Sequence, residues 1–260
     1  MLFTVAGGAD NVGIDNGCSS GTGFTGDGGA PTSATLLCPQ GVWWQANNGN
    51  PYLVIGDSNN HRVRVVNLAS TTQTIFNQSI AANTIKTVAG TGTNACTTSG
   101  VATSASLDQP ISVTVDSGFL YWADAGGAAC PYFMKVSSAG TLSIFAGNGT
   151  QGYLYGACTA SEFYQPMDIK FDNNHVAYLV DQLGATVSMA KNGVCSNLAG
   201  NYALYGNRGG YGPVGTPARF TAFEGAFNGG AAGPLGATPE VPMAMMSSSR
   251  SRKTPRRSRL

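Results

Sequence analysis

The chain has 260 residues, of which 36 are glycine and only 27 are charged (14 Lys+Arg, 13 Asp+Glu). Soluble domains average roughly 25% charged residues and roughly 7% glycine, so a helical bundle or coiled coil, which needs Ala, Leu, Glu and Lys, is excluded. The net charge of +1 joins two unlike parts: residues 250–260 carry six basic residues and no acid, leaving 8 basic against 13 acidic in residues 1–249, a net of −5.

In chain order, the start MLFTVAGGAD has neither the basic nor the apolar region of a secretory leader, and none is expected there. No uninterrupted apolar run reaches the ~18 residues of a membrane-spanning helix. The first strand-like runs are 41–46, 52–57, 62–67 and 84–90. A second set follows at 111–116, 119–124, 133–138 and 141–147, and a third at 167–172, 176–181, 186–191 and 195–200. Turn chemistry separates them: Ser117-Gly118, Ala139-Gly140, Asn173-Asn174 and Asn192-Gly193. Asn-Gly is the strongest short hairpin signal.

The runs repeat. An apolar residue followed by Ala-Gly closes segments 4–7, 87–90, 144–147 and 197–200. Further on in each unit comes Ala34-Thr35-Leu36-x-x-Pro39, then Ala105-Ser106-Leu107-x-x-Pro110, Ser161-Glu162-Phe163-x-x-Pro166 and Ala218-Arg219-Phe220-x-x-Phe223. The last positions of these motifs are 71, 56 and 57 residues apart. The second run of each complete unit ends in aspartate: Asp57, Asp124 and Asp181. A fixed period of this size signals a repeat architecture. Four short antiparallel strands cannot bury both faces alone; stacking such sheets around an axis gives an all-β fold, the β-propeller. Three complete blades are expected, with a lone outer strand before them and the beginning of a blade after them.

These residues resemble the NHL-repeat propeller family, named for its Asn-His-Leu motif. The match is Asn59-Asn60-His61-Arg62-Val63-Arg64-Val65, with Arg62 where the name has Leu, together with Gly26-Asp27-Gly28-Gly29-Ala30. Later units lack the Asn-His segment, carrying Gly126-Gly127-Ala128-Ala129-Cys130 and Leu183-Gly184-Ala185 instead. The resemblance implies four-stranded antiparallel blades. Similar propellers usually close with six, so an incomplete propeller over residues 1–230 is expected, followed by a low-complexity basic tail, 231–260, expected to be disordered.

The recurring Asp57, Asp124 and Asp181 read as scaffold residues that accept N–H bonds in the following turn, since active-site residues rarely repeat. Pro39, Pro110 and Pro166 have the same repeat-structural role, and His61 and Arg62 read as packing or turn residues. A calcium site needs six to eight oxygens, and only Asp27 and Asp15 lie near the Gly26–Gly29 loop. The other histidine, His175, falls in a hairpin turn. Loops leading into a blade and turns between its second and third strands share one face. That permits a Cys96–Cys130 disulfide; Cys18 and Cys38 share the first leading loop and are a second candidate pair. Cys158 and Cys195 fall on opposite faces and are not expected to pair. An even cysteine count and the sequons at Asn77 and Asn148 favour an extracellular or cell-surface location.

Leading loops rich in aromatic residues, with Tyr153, Tyr155, Tyr202, Tyr205, Arg208 and Tyr211, are the candidate interaction surface, since loops on a rigid scaffold commonly carry function. The expected function is non-catalytic: a scaffold binding a protein partner, or a glycan, with no cofactor. One alternative is a lactonase- or hydrolase-type propeller with a divalent metal in its channel, for which Asp116, Asp168 and Asp172 are the inner-strand carboxylates. The other is RNA binding, disfavoured because nucleic-acid affinity needs clustered Lys and Arg and the body is net acidic.

Overall fold

The computed structural model describes residues 3–8, 23–125 and 130–200. Within them lie three consecutive propeller blades. The first contains β1 (Pro39–Gln45), β2 (Tyr52–Asp57), β3 (Arg62–Asn67) and, after a small hairpin of β4 (Gln73–Ile75) and β5 (Gln78–Ile80), β6 (Ile85–Ala89). The second contains β7 (Ser99–Val101), β8 (Pro110–Asp116), β9 (Phe119–Asp124), β10 (Tyr132–Val136) and β11 (Thr141–Ala146). The third contains β12 (Gly156–Ala157), β13 (Pro166–Phe171), β14 (Ala177–Asp181), β15 (Thr186–Lys191) and β16 (Val194–Gly200). Sheet orders are β1-β2-β3-β6, β8-β9-β10-β11-β7 and β13-β14-β15-β16-β12, and the pairings are antiparallel. The inner strands β1, β8 and β13 neighbour one another in turn, which sets the blades side by side around an axis.

Two expectations change. Blades two and three have five strands: their leading loops run along the outer edge and pair Ser99–Val101 with β11 and Gly156–Ala157 with β16. An outer strand has a free ladder edge, and the long leading loop covers it. The first blade does the same with two bonds, Gly28 N to the Ile85 carbonyl and Ile85 N to the Gly29 carbonyl. Residues 3–8, expected as a lone outer strand, join no sheet among the described residues. Instead Gly7 N–H donates to the Pro31 carbonyl, as Gly90 does to Ala102 and Gly147 to Cys158. These three Ala-Gly endings thus dock on the 3-10 turn of the next leading loop. Gly7, Gly90, Gly147 and Gly200 have φ of 98°, 96°, 109° and 87°, a region that glycine enters freely and other residues rarely do. The repeat of Ala-Gly is a backbone requirement.

The long first spacing is accounted for by the β4–β5 hairpin. Its turn residues Phe76 and Asn77 have φ of 48° and 63°, as a tight primed turn requires, and Ile75, Phe76 and Ile80 are buried.

The core lies between blades. Val54, Val63 and Val65 of the first blade meet Val113, Leu120, Trp122 and Met134 of the second. Ile111, Tyr121 and Phe133 of the second meet Ile169, Ala177 and Leu179 of the third. The motif before each inner strand is buried with them: Ala34, Ala105, Leu107, Ser161 and Phe163 are at most 1% exposed.

Candidate binding surfaces

The aspartate–proline pairs organise the leading face. Pro39 stands opposite Asp57, Pro110 opposite Asp124 and Pro166 opposite Asp181, and each inner strand shifts register just after its proline. Proline has no N–H to give a ladder, and the aspartates take the N–H groups just upstream. Asp57 Oδ1 accepts from Leu37 N (2.7 Å). Asp124 accepts from Gln109 N (2.6 Å) and Asp108 N (3.3 Å). Asp181 accepts from Tyr164 N and Gln165 N, both at 2.7 Å. The main donors therefore precede the inner strand; only Asn60 Nδ2 to Asp57 and Gly184 N to Asp181 come from the following turn. Burial raises all three carboxyls, and Asp124 is pushed up to about 7.

The Asn-His-Arg segment links the first two blades. Gln109 Nε2 donates to Asn59 Oδ1, and His61 Nδ1 bonds the Asp108 carbonyl. His61 itself has φ 52° and ends a 3-10 turn. Arg62 Nη1 donates to the Gly90 carbonyl, and its guanidinium lies 3.8 Å from the Phe24 ring centroid. Asp27 is engaged within the fold: Oδ1 pairs with the fully buried Arg64 at 2.9 Å, and Oδ2 accepts from Thr87 N. The glycine-rich loop clasps Arg64, which also bonds the Thr25 and Thr35 carbonyls.

The three carboxylates Asp116, Asp168 and Asp172 are held by separate partners. Asp168 bonds Lys170 Nζ (2.6 Å) and Ser112 Oγ. Asp172 Oδ1 accepts N–H bonds from Asn174 and Val176 in its own turn. Asp116 pairs with His175 Nδ1 at 2.8 Å. No group of three metal-ligating side chains occurs among the described residues.

Cys96 and Cys130 form a disulfide with Cα atoms 5.7 Å apart. Cys158 and Cys195 form another, at 4.8 Å, which overturns the expectation that they lie apart. The third leading loop does not stay on the leading face. Through β12 it runs down the outer edge, Gly156 lies opposite Cys195, and the next residue but one is Cys158. Cys38 is also disulfide-bonded; Cys18, its expected partner, lies outside the described residues.

Of the aromatic loop residues, Tyr153 stacks on Tyr164 with centroids 6.1 Å apart and 23° between planes. Tyr153 is 48% exposed and the neighbouring Leu154 57%. Gln151 Nε2 to the Tyr164 carbonyl and Glu162 N to the Leu154 carbonyl hold the loop. Tyr155 Oη bonds Thr186 Oγ1 at 3.2 Å, so Tyr155 braces the loop. Tyr202, Tyr205, Arg208 and Tyr211, the fourth motif and the basic tail lie outside the described residues. Asn77 and Asn148 are both exposed. Among the described residues no helix is long and apolar enough to cross a membrane.

No family model matches the chain, and no curated protein does. Among solved structures it is similar to an auxiliary nutrient binding protein from Bacteroides thetaiotaomicron (20% identity, TM-score 0.40, covering 55% of this chain and 34% of that one). An auxiliary nutrient binding protein from Bacteroides ovatus (18%, TM-score 0.41, 54% and 34%) and a nidogen/laminin complex (15%, TM-score 0.36, 60% and 44%) are also similar. The matched region spans about a third of the length of the two Bacteroides proteins.

Proposed function

We propose that the chain is an NHL-type propeller that acts as a non-catalytic scaffold and binds a protein partner through the leading loops of one face. The observation that carries this is the Tyr153–Tyr164 stack beside Leu154: exposed aromatic and apolar surface on a loop fixed by β12 and hydrogen bonds. Tyrosine anchors are enriched at interaction hot spots, and a pre-ordered loop loses less entropy on binding. The Asn59–Arg62 latch supports the NHL assignment. Asp168 and Asp172, held by Lys170 and by a turn, favour a scaffold over a channel-metal hydrolase. Disulfides persist in oxidising compartments, which supports an extracellular or cell-surface setting.

The test is a screen of the purified chain against displayed extracellular proteins, with every hit re-measured on a Tyr153→Ala/Leu154→Ala variant. The expected loss is about tenfold or more. Hits that bind the double variant equally well would remove the loops from the reading. Lactone hydrolysis requiring stoichiometric Ca²⁺ or Zn²⁺ would replace it with the hydrolase.

A further inference from the structure

A cleft of about 440 Å³ opens between blades two and three, with Cys158 and Thr159 of the third leading loop on its outer wall. It lies beside the β8–β9, β13–β14 and β15–β16 turns, and its size is that of a small-ligand site. The rings of Phe119, Tyr121, Phe145 and Phe171 line it, with Ile144 and Ala190. Tyr121 lies 5.1 Å from Phe145 and 4.6 Å from Phe171, with Phe145 and Phe171 5.9 Å apart. The rings pack at 48–78° to one another, so they offer an uneven apolar floor with neither a common plane nor a cage.

Polar groups stand around this surface. Tyr121 is 7% exposed, yet its hydroxyl makes no hydrogen bond among the described residues. Burial, with the Asp116 carboxylate nearby, pushes it up to about 12, so it stays a donor. Lys135 is the direct cross-strand neighbour of Tyr121. Its ammonium lies 5.7 Å from the Phe119 ring centroid and forms no salt bridge among the described residues. Asp116 Oδ1 accepts from His175 Nδ1, while Oδ2 has no partner among the described residues. The Cys158–Cys195 disulfide fixes the wall on the third blade.

These features select the ligand chemistry. A purely apolar ligand would leave the Tyr121 hydroxyl buried and unpaired, which costs free energy. A cation meets Lys135, and an anion meets Asp116. A neutral molecule with one apolar face and a rim of hydroxyls satisfies all of them. We propose that this cleft is a carbohydrate site, in which the apolar face of one neutral hexopyranose ring packs on one of the half-buried rings, Phe145 or Phe171, beside the Tyr121 hydroxyl. Its hydroxyls accept from Tyr121 Oη and Lys135 Nζ and donate to Asp116 Oδ2. Neither Tyr153 nor Leu154 lines the cleft, although Cys158 and Thr159 further along the same loop do.

Saturation-transfer difference NMR on the full chain, with methyl glycosides of glucose, galactose and mannose at about 10 mM, tests the site at a level that saturates millimolar binding. The expected result is transfer to the ring protons of one sugar face for at least one glycoside. Tyr121→Phe keeps the ring and removes the hydroxyl; Lys135→Met removes the ammonium at a partly exposed position. Each should weaken binding about five- to tenfold, the effect of one hydrogen bond, while Tyr153→Ala leaves it unchanged. Absence of transfer from all the glycosides, or transfer that both cleft variants leave untouched, would overturn the site. Sugar binding lost in Tyr153→Ala alone would overturn it while leaving the leading-loop scaffold standing.

Discussion

Asp124 is the residue at which the repeat motif and its energetic cost meet. It is 3% exposed, and its two oxygens receive the Gln109 and Asp108 N–H groups. Loss of solvation outweighs those bonds and raises the carboxyl from 3.8 to about 7. The folded protein then holds a proton between pH 4 and 7 that the unfolded chain has released. Stability therefore falls as pH rises across that window. The full span corresponds to about 4 kcal/mol at 1.36 kcal/mol per pKa unit. Asp124→Asn keeps an oxygen for the Gln109 N–H and cannot ionise. Its unfolding free energy from urea titration should decline less between pH 4 and pH 7.5 than that of the wild type, by a few kcal/mol. Parallel pH curves for the two proteins would show that Asp124 is ionised in the fold at pH 4. Asp57 and Asp181, raised for the same reason, should leave a residual slope in both.

At the scale of the element, the sequence displays what the backbone demands and hides what only packing decides. Pro39, Pro110 and Pro166 open strands, the facing aspartates collect the N–H groups upstream of them, and the closing glycines adopt positive φ. Those demands fall on single positions, so they recur as motifs. The fifth strands leave no such trace: Gly156–Ala157 is too short to carry a period-two pattern. Without it the third leading loop reads as confined to one face, and the Cys158–Cys195 bridge is missed. The aromatic cleft is equally hidden, since Tyr121, Phe145 and Phe171 come from three strands of two blades. Tyr153 was legible because an exposed aromatic in a glycine-rich loop is already unusual. The bridge spans 37 residues, and in the chain-entropy view a loop of that size contributes about 3–4 kcal/mol. Cys158→Ser/Cys195→Ser should lose about that much and should speed amide exchange at Cys195 and at Cys158, whose N–H bonds the Gly193 carbonyl. Protection retained there at wild-type level would mean that strand pairing alone holds the edge.

Across the molecule, each blade is joined to the next by backbone as well as side chains. The inner strand β1 lies so close to β8 that a Cβ on Gly41 would overlap the Ile111 carbonyl, and one on Gly56 would come within 2.5 Å of the Pro110 oxygen. Ser58 Oγ donates to that same Pro110 carbonyl at 2.9 Å. The valines of β2 and β3 then meet Trp122 and Met134 over the shared core. Blades two and three meet through a separate cluster around Phe133, Phe163 and Leu179. When units contact only their neighbours, stability is approximately a sum of unit and interface contributions. A wedge at one interface should therefore act locally. Gly41→Val inserts a side chain where two backbones touch, an overpacking cost of about 1–3 kcal/mol. Hydrogen exchange should show faster opening for Tyr52–Asp57 and Arg62–Asn67, with Ala177–Asp181 at wild-type protection. Equal loss in all three blades would show that they fold as one cooperative unit, with the two interfaces coupled through the second blade.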